Sequence, residues 1–295
     1  MNSSLCVPSG GLHSTERRRS AATRAVKALA TGAVTGAALF LASPGALAQD
    51  MPDTISGSAG VSYNTHFISY GADVWGGGDD FFGDRSTTFV WADMAIAISP
   101  VTINLGVWSD VNNNVPSAIG GNLQEVDVYA GLTYAAGPLS IGATYQRWMY
   151  AGDVEEIVDL SLGFNDMGMI APNFALNPKV VWHIRTSGNG AQPEGSALVF
   201  SVGPTFPLGN GNLSLTIPAG IALFLDDDFQ FGTESGYAYS YLGASLGIPL
   251  SFVPATYGVW TANVDLIGYF TDSKAIPNNP EENFLTASVG IKVAY

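Results

Sequence analysis

Charged side chains recur at alternate positions within several short segments that are otherwise apolar. In residues 125–132, apolar side chains at even positions alternate with Glu125 and Asp127. Because successive side chains of a β-strand point to opposite faces, such a segment has one apolar and one charged face. Groups on the charged faces could attract ions or small charged solutes. The pattern assigns nine side chains to these faces: Asp93, Glu125, Asp127, Asp159, Lys179, His183, Arg185, Asp265 and Lys292.

Neighbouring segments carry charges of opposite sign. We expect Glu155 or Asp159 to lie near Lys179 and Arg185, and Asp265 to lie near Lys292. A charged side chain that faces hydrocarbon at mid-depth of a membrane costs about 2–4 kcal/mol, so the charged faces would point into the interior of a barrel. Two alternatives follow for that interior. It is either an aqueous path whose acidic bias favours cations, or a set of ion pairs that fills the barrel.

The alternation predicts an all-β protein, an antiparallel transmembrane up-and-down β-barrel of about twelve strands. Short turns rich in Pro and Gly alternate with longer, mostly acidic loops such as 69–85, which we expect outside the barrel. The pattern is least regular between residues 154 and 187, which leaves a count of about 10 to 14 strands open. The predicted strands are 56–68, 86–99, 101–111, 123–136, 139–150, 154–165, 174–187, 196–207, 213–225, 237–250, 256–271 and 283–295.

The first 48 residues resemble a secretory signal. A basic segment with Arg17, Arg18 and Arg19 precedes an apolar stretch over residues 28–41, and Ala46-Leu47-Ala48 has the small-residue pattern of a cleavage site. We therefore expect export through the Sec route, cleavage after Ala48, and one barrel domain over residues 49–295. The single cysteine lies inside this predicted signal, so we expect no disulfide in the mature chain.

The last strand ends on an aromatic residue. Gly290, Val293 and Tyr295 match a polar-x-Gly-x-x-apolar-x-aromatic pattern. This pattern resembles the C-terminal signal of outer-membrane β-barrel proteins, which the barrel-assembly machinery reads. The resemblance implies the bacterial outer membrane as the location, with its lipid and the assembly machinery as partners.

The charge balance excludes one class of partner. The net charge is −14 at pH 7, and loss of the basic signal would make the chain more acidic still. Such a surface repels nucleic acid, so we expect no nucleic-acid partner. Only 12% of residues are charged and 47% are hydrophobic; the charged share is about half of the ~25% typical of soluble domains. No feature of the sequence indicates an oligomeric state.

Other candidate sites have weaker patterns. Asp226-Asp227-Asp228 and the acidic segment 76–84 could bind calcium through carboxylate oxygens, but neither has a regular ligand spacing. We predict no metal and no cofactor. A lipid-modifying enzyme would need a histidine beside a serine and an orienting partner; His66 near Asn64 is the one candidate, and no motif accompanies it. We predict that the protein is not an enzyme, and keep lipid modification as a third alternative.

Several stretches resemble one family. The segments 61–71, 104–108 and 124–134 are similar to the TorF-like porins of Gram-negative bacteria. That resemblance implies an outer-membrane barrel of porin type. We therefore predict a passive channel for small, cationic solutes. The alternative is a non-conducting structural or adhesion barrel that acts through its external loops.

Overall fold

Twelve antiparallel strands form a closed barrel. The computed structural model describes residues 54–81, 83–189, 192–209 and 213–295. The predicted signal peptide and its cleavage site after Ala48 lie outside these ranges and remain predictions. The described ranges include a short 3-10 turn, Ala255–Tyr257, and none of their helices could span a membrane.

The strand boundaries agree with the predicted ones to within a few residues, apart from two interruptions and one late start. Gly203-Pro204 separates β10 from β11, and Ile217-Pro218 separates β12 from β13, so each pair forms one wall strand. Proline has no N–H to give to the ladder. In chain order the strands are β1 (Thr54–Asn64), β2 (Ile68–Ser69), β3 (Ala72–Asp73), β4 (Thr87–Ile98), β5 (Val101–Val111), β6 (Leu123–Ala136), β7 (Leu139–Tyr150), β8 (Asp153–Phe164), β9 (Lys179–Ser187), β10 (Gly195–Val202), β11 (Thr205–Leu208), β12 (Leu213–Thr216), β13 (Ala219–Phe224), β14 (Gly236–Pro249), β15 (Val259–Thr271) and β16 (Asn283–Ala294).

The ladder closes because the first and last wall strands pair. β1 pairs with β4 on one side and with β16 on the other, and β14 pairs with both β13 and β15. The two ends of the barrel differ. Most of the longer connections, among them 65–86, 112–122, 225–235 and 272–282, lie at one end, here called the loop end. The other end, the turn end, contains Thr54, Tyr295, shorter turns such as Ser99-Pro100, and one long connection, 165–178.

The outer surface of the wall is apolar, as the alternation predicts. On β16, the outward-facing Val289 and Ile291 are 53% and 44% exposed, whereas the inward-facing Thr286 is buried. Leu160, Leu162 and Trp182 are likewise exposed on their strands. The nine charged or titratable residues of the predicted polar faces all occupy inward-facing positions of this alternation.

The interior differs from the predicted polar lining in its loop-end half. There the inward positions carry large aromatic side chains, including Phe89, Trp91, Trp108 and Trp148, which are buried in one apolar cluster. The turn-end half has small polar side chains instead, among them Ser58, Asn104, Thr133, Thr144 and Ser245. The interior is therefore packed at one end and lined by small polar groups at the other.

The first long loop enters the barrel, contrary to the expectation of an external polar loop. The chain leaves the wall after Asn64, four residues before the predicted strand end, and the hairpin β2–β3 lies inside with Phe67, Ile68 and Tyr70 buried. A twelve-stranded barrel is wider than the eight-stranded barrels that wall side chains alone can fill. The inserted loop supplies the missing apolar volume. Predicted strand 174–187 begins only at Lys179, after an ordered turn-end connection.

Inward-facing glycines make room for aromatic rings of the next strand. A Cβ on Gly106 would lie 2.3 Å from the Tyr129 ring, whereas a Cβ on Gly268 would meet nothing closer than 3.8 Å. We expect Gly106→Ala to lower the free energy of unfolding by about 1–3 kcal/mol, because the ring must shift in a packed interior. Urea unfolding in lipid vesicles measures this. Gly268→Ala is the matched control and should change stability by less than about 0.5 kcal/mol; equal effects would contradict the packing shown here.

Candidate functional site in the barrel interior

A hydrogen-bonded network around His183 joins the inserted loop to the wall. Register places His183 on β9 directly opposite Asp159 on β8, and Nδ1 of His183 lies 2.7 Å from Oδ1 of Asp159. The hydroxyl of Tyr70, from the inserted loop, lies 2.5 Å from the same nitrogen. Gln146 Nε2 donates to the other carboxylate oxygen at 2.5 Å, and Trp148 Nε1 donates to Gln146 at 3.2 Å. The network closes the bore between loop and wall at this level.

Arg185 is the second residue that joins the wall to the loops. It lies two residues after His183 on β9, nearer the loop end. Its Nε donates to Glu155, and the two residues are 3% and 1% exposed. Tyr150 donates to the second oxygen of Glu155 at 2.5 Å. Nη1 of Arg185 donates to the main-chain oxygens of Pro193 and Phe229, each at 3.0 Å, and the guanidinium lies 4.3 Å from the Phe229 ring centroid. Arg185 thus connects the wall to two further loops.

Three buried carboxylates lie beside these groups. Asp110 is opposite Glu125 in the ladder, and Asp127 follows on the same face of β6. Asp110 accepts hydrogen bonds from Thr87, from Asn112 and, at 3.0 Å, from Nε1 of Trp75 on the inserted loop. Oε1 of Glu125 and Oδ1 of Asp127 have no hydrogen-bond partner among the described residues. Both are sealed from solvent, so in this conformation they cannot line an aqueous path.

The inserted loop is held by further side-chain bonds to the other loops. Asn279 donates to the Gly71 oxygen at 2.8 Å and accepts from the main-chain N–H of Asp73, also at 2.8 Å. Gln230 donates to the Ser69 oxygen at 3.2 Å. These bonds satisfy main-chain groups that the short hairpin leaves unpaired, which burial requires. The closure therefore depends on three loops that pack together.

Asp73, the last residue of β3, lies beside a turn of three glycines, residues 76–78, in the inserted loop. Gly78 N–H donates to its Oδ2 at 2.8 Å, and Gly76 and Gly78 have positive φ, which suits glycine. Oδ1 has no hydrogen-bond partner in the described chain. Burial raises the pKa of Asp73, although the N–H of Gly78 and the nearby His66 act in the opposite direction. His66 itself lies 2.9 Å from the Gly78 oxygen through Nε2 and 2.8 Å from the Thr65 hydroxyl through Nδ1, so both ring nitrogens have protein partners.

In the turn-end half the acids and bases do not pair as expected. Asp265 accepts from the hydroxyls of Ser245 and Ser288. Lys292 faces Thr261, four residues before Asp265 on β15, so the expected Asp265–Lys292 pair is not formed. Asp93 accepts from Ser58 at 3.2 Å and from Tyr129. Within the described parts of the chain, Lys179 and Lys292 form no ion pair. Here the acidic side chains accept hydrogen bonds from hydroxyl groups, which the pattern of charged residues does not predict.

The structure thus brings five of the predicted residues together in the closed half: Glu125, Asp127, Asp159, His183 and Arg185. The other four, Asp93, Lys179, Asp265 and Lys292, are spread around the turn-end half. Sequence reasoning missed the residues that complete the closure, above all Tyr70, Trp75 and Phe229. Their one sequence signal is that large aromatic side chains interrupt loops that are otherwise polar and acidic.

In the ranges that the structure covers, no three His, Cys, Asp or Glu side chains come together where a metal ion could bind. The acidic run 226–228 has a structural role instead. Asp226 accepts from the main-chain N–H of Ser196 at 2.7 Å, and Asp227 accepts from that of Ser235 at 2.9 Å.

Comparisons with known proteins give only remote similarities. No family model and no curated protein matches the chain, so the TorF-like resemblance stays a prediction. Among solved structures, the NanC porin aligns with a TM-score of 0.47 at 6% identity, over 81% of this chain and 99% of that one. The translocator domain of the autotransporter NalP from Neisseria meningitidis gives 0.40 at 13% identity, over 96% and 99%. The outer-membrane channel DcaP of Acinetobacter baumannii gives 0.38 at 10% identity, over 82% and 96%. Similarity at this level carries no argument about activity.

Loss of the guanidinium at position 185 should destabilise the barrel strongly. Arg185→Met leaves Glu155 buried without its cation, which we expect to cost about 3–5 kcal/mol of unfolding free energy. The double variant Arg185→Met with Glu155→Met should recover most of that loss, because no buried charge remains. Lys274→Met removes one partner of the exposed Lys274–Glu234 pair and should leave stability nearly unchanged. Urea unfolding of the three variants tests this. If Arg185→Met lost no more unfolding free energy than Lys274→Met, the prediction would be contradicted.

The raised pKa of Asp73 makes loop insertion dependent on pH. A carboxyl group whose pKa is higher in the inserted state binds its proton more tightly there, so insertion is most stable at acid pH and weakens as pH rises through that pKa. A spin label at Asp79→Cys, an exposed loop position, should become more mobile with rising pH. Asp73→Asn should remove the pH dependence. Increasing mobility on acidification, or an unchanged profile in Asp73→Asn, would contradict the prediction.

Proposed function

We propose that the protein is an outer-membrane barrel that acts as a passive channel for small solutes, and that its first long loop closes the bore in this conformation. The observation that carries the proposal is the division of the interior. The turn-end half has the small polar lining of an aqueous path, whereas the loop-end half is shut by Tyr70 against His183. The side chain that reaches His183 comes from a loop, and not from another wall strand.

The membrane location rests on the wall and on the ends of the chain. The outward faces of the strands expose apolar side chains around the whole barrel, and a closed ladder satisfies the main chain without water. The predicted signal peptide, cleaved after Ala48 in Sec export, and the C-terminal pattern with Gly290, Val293 and Tyr295 agree with delivery by the barrel-assembly machinery. The loop end would then face outward and the turn end the periplasm.

Opening by loop movement is physically simpler than opening by wall movement. The N–H of Thr65, the first residue of the loop, still donates to the Ala287 oxygen of β16. Beyond Thr65, the contacts named above between the inserted loop and the wall are side-chain bonds and packing, outside the ladder that closes the barrel. Release of Tyr70, Trp75 and the bonds to Asn279 would free the loop while every wall strand keeps its neighbours. Partial opening of loops at a lower free energy than global unfolding is common in proteins.

The charges at the loop end support a preference for cations. Acidic side chains greatly outnumber the basic Arg85 and Lys274 in the described external loops, which raises the local concentration of cations at that mouth. The acids are Asp79, Asp80, Asp84, Glu194, Asp226, Asp227, Asp228, Glu234, Asp272, Glu281 and Glu282. In the turn-end half Asp93 and Asp265 are matched in number by Lys179 and Lys292, so the preference would arise at the loop-end mouth.

A second candidate function follows from the extent of the buried cluster. Loop residues Phe67, Tyr70, Phe229 and Ile276 are all almost fully buried and pack with wall aromatics. A core of this kind would suit a permanently filled barrel that presents its external loops to a partner. Conductance separates the two candidates.

Removal of the inserted hairpin should open the channel. With residues 68–79 replaced by a short Gly-Ser linker, we expect stepwise currents in planar bilayers, because the residues that meet His183 and Asp110 are gone. The unaltered protein should conduct rarely. A reversal potential in a potassium chloride gradient should show preference for potassium, owing to the acidic mouth.

The matched control replaces the exposed segment 117–121 of the β5–β6 loop by the same linker, and this variant should remain closed. Folding of each variant is verified by the shift in its migration on gels between unheated and heated samples. A folded hairpin deletion that seals the bilayer under voltage would refute the channel and leave the filled barrel as the function.

A further inference from the structure

One polar patch interrupts the apolar outer surface of the wall. Arg147 on β7 and Glu156 on β8 are the only charged side chains at outward positions of the described wall strands. They face each other directly in the ladder. Tyr145 lies on the same face of β7, and Thr186 on the same face of β9. These four residues form the wall patch: Tyr145, Arg147, Glu156 and Thr186.

A bulge in β9 creates part of this patch. Glu156 pairs with Ser187 and Ile157 pairs with Arg185, which leaves Thr186 as an extra residue, exposed on the outside. Its hydroxyl donates to the main-chain oxygen of Glu156 at 3.1 Å. On β8 the ordinary alternation continues, so Glu155 and Ile157 point inward and Glu156 points outward between them.

Arg147 provides the free cation of the wall patch. Its side chain is exposed, and no hydrogen bond or ion pair joins it to the chain as far as the structure describes it. Glu156 lies within reach of the Tyr145 hydroxyl. The guanidinium therefore keeps its donors available for a group from outside the protein.

The height of the patch on the wall matches the lipid head groups. The two-residue turn 151–152 joins β7 to β8. Arg147 lies three residues from the end of β7 at this turn, and Glu156 three residues from the start of β8. Three residues of a strand span about 10 Å. This turn is the shortest connection at the loop end, so the rim of the barrel is low here. A charge on the outer wall is tolerated near the membrane interface and strongly disfavoured at mid-depth. The patch thus lies where hydrocarbon gives way to head groups.

We propose that the wall patch binds a membrane lipid through the phosphate of its head group. The planar guanidinium of Arg147 can donate two parallel hydrogen bonds to phosphate oxygens. The hydroxyls of Tyr145 and Thr186 are held by Glu156, so Arg147 alone supplies the free donors. The apolar wall below accepts the acyl chains. The proposal rests on the proposed membrane location and not on conduction.

The test compares lipid retention in detergent by native mass spectrometry. The probes are phosphatidylglycerol and a diacylglycerol with the same acyl chains, which lacks the phosphate. The unaltered protein should retain phosphatidylglycerol in clear preference. Arg147→Gln should lower its retention about tenfold, as expected for loss of a charged hydrogen-bonding partner, and leave diacylglycerol unchanged.

Lys274→Gln, which also removes one positive charge at the loop end, is the control and should retain phosphatidylglycerol as before. Arg147→Lys keeps the charge but loses the planar pair of donors, so it should give a smaller loss and keeps the proposal testable even if Arg147→Gln folds poorly. Equal retention by Arg147→Gln and the unaltered protein overturns the proposal. So does a change in subunit number in Arg147→Gln, which would make the patch an interface between copies. A barrel soluble without detergent would refute the membrane location instead.

Discussion

The closed ladder of main-chain hydrogen bonds is the constraint on which everything else in this protein depends. Inside hydrocarbon every N–H and C=O needs a partner within the protein, and a barrel supplies them all. The two interruptions show how strictly this holds. At Pro204 and Pro218 the ladder loses donors, yet Ile217 N–H still donates to the Pro204 oxygen at 3.0 Å and Gly243 N–H to the Pro218 oxygen at 2.9 Å. The wall stays continuous across both.

A ladder of twelve strands creates a second requirement, because its interior is wider than wall side chains can fill. The protein meets it in two ways. At the loop end, inserted loops and wall aromatics pack together, and the charges buried there are mostly matched with partners, as in Arg185 with Glu155. At the turn end small polar side chains leave the acids Asp93 and Asp265 to hydroxyl donors. Exceptions among the described residues are Asp73, Glu125 and Asp127, each with one unpartnered oxygen.

Much of the wall could be predicted from the sequence, because alternation is a local property. The twelve strands, the outward apolar face and the inward position of all nine predicted residues follow from period two alone. The inserted loop could not be predicted in this way. Its burial depends on the width of the barrel and on partners more than 100 positions away, as with Tyr70 and His183. The expected Asp265–Lys292 pair failed for a related reason, since strand register, not proximity in the pattern, decides which side chains meet.

The two ends of the inserted loop have a consequence for how the molecule forms. The loop leaves β1 at Asn64 and rejoins the wall at β4, and these two strands are direct neighbours in the sheet. Nothing is threaded, so the cylinder can be completed while this segment still lies outside it. Its entry at the loop end requires no strand to separate from its neighbours. The topology therefore permits an assembly intermediate that already has its full circumference while its interior is still wet.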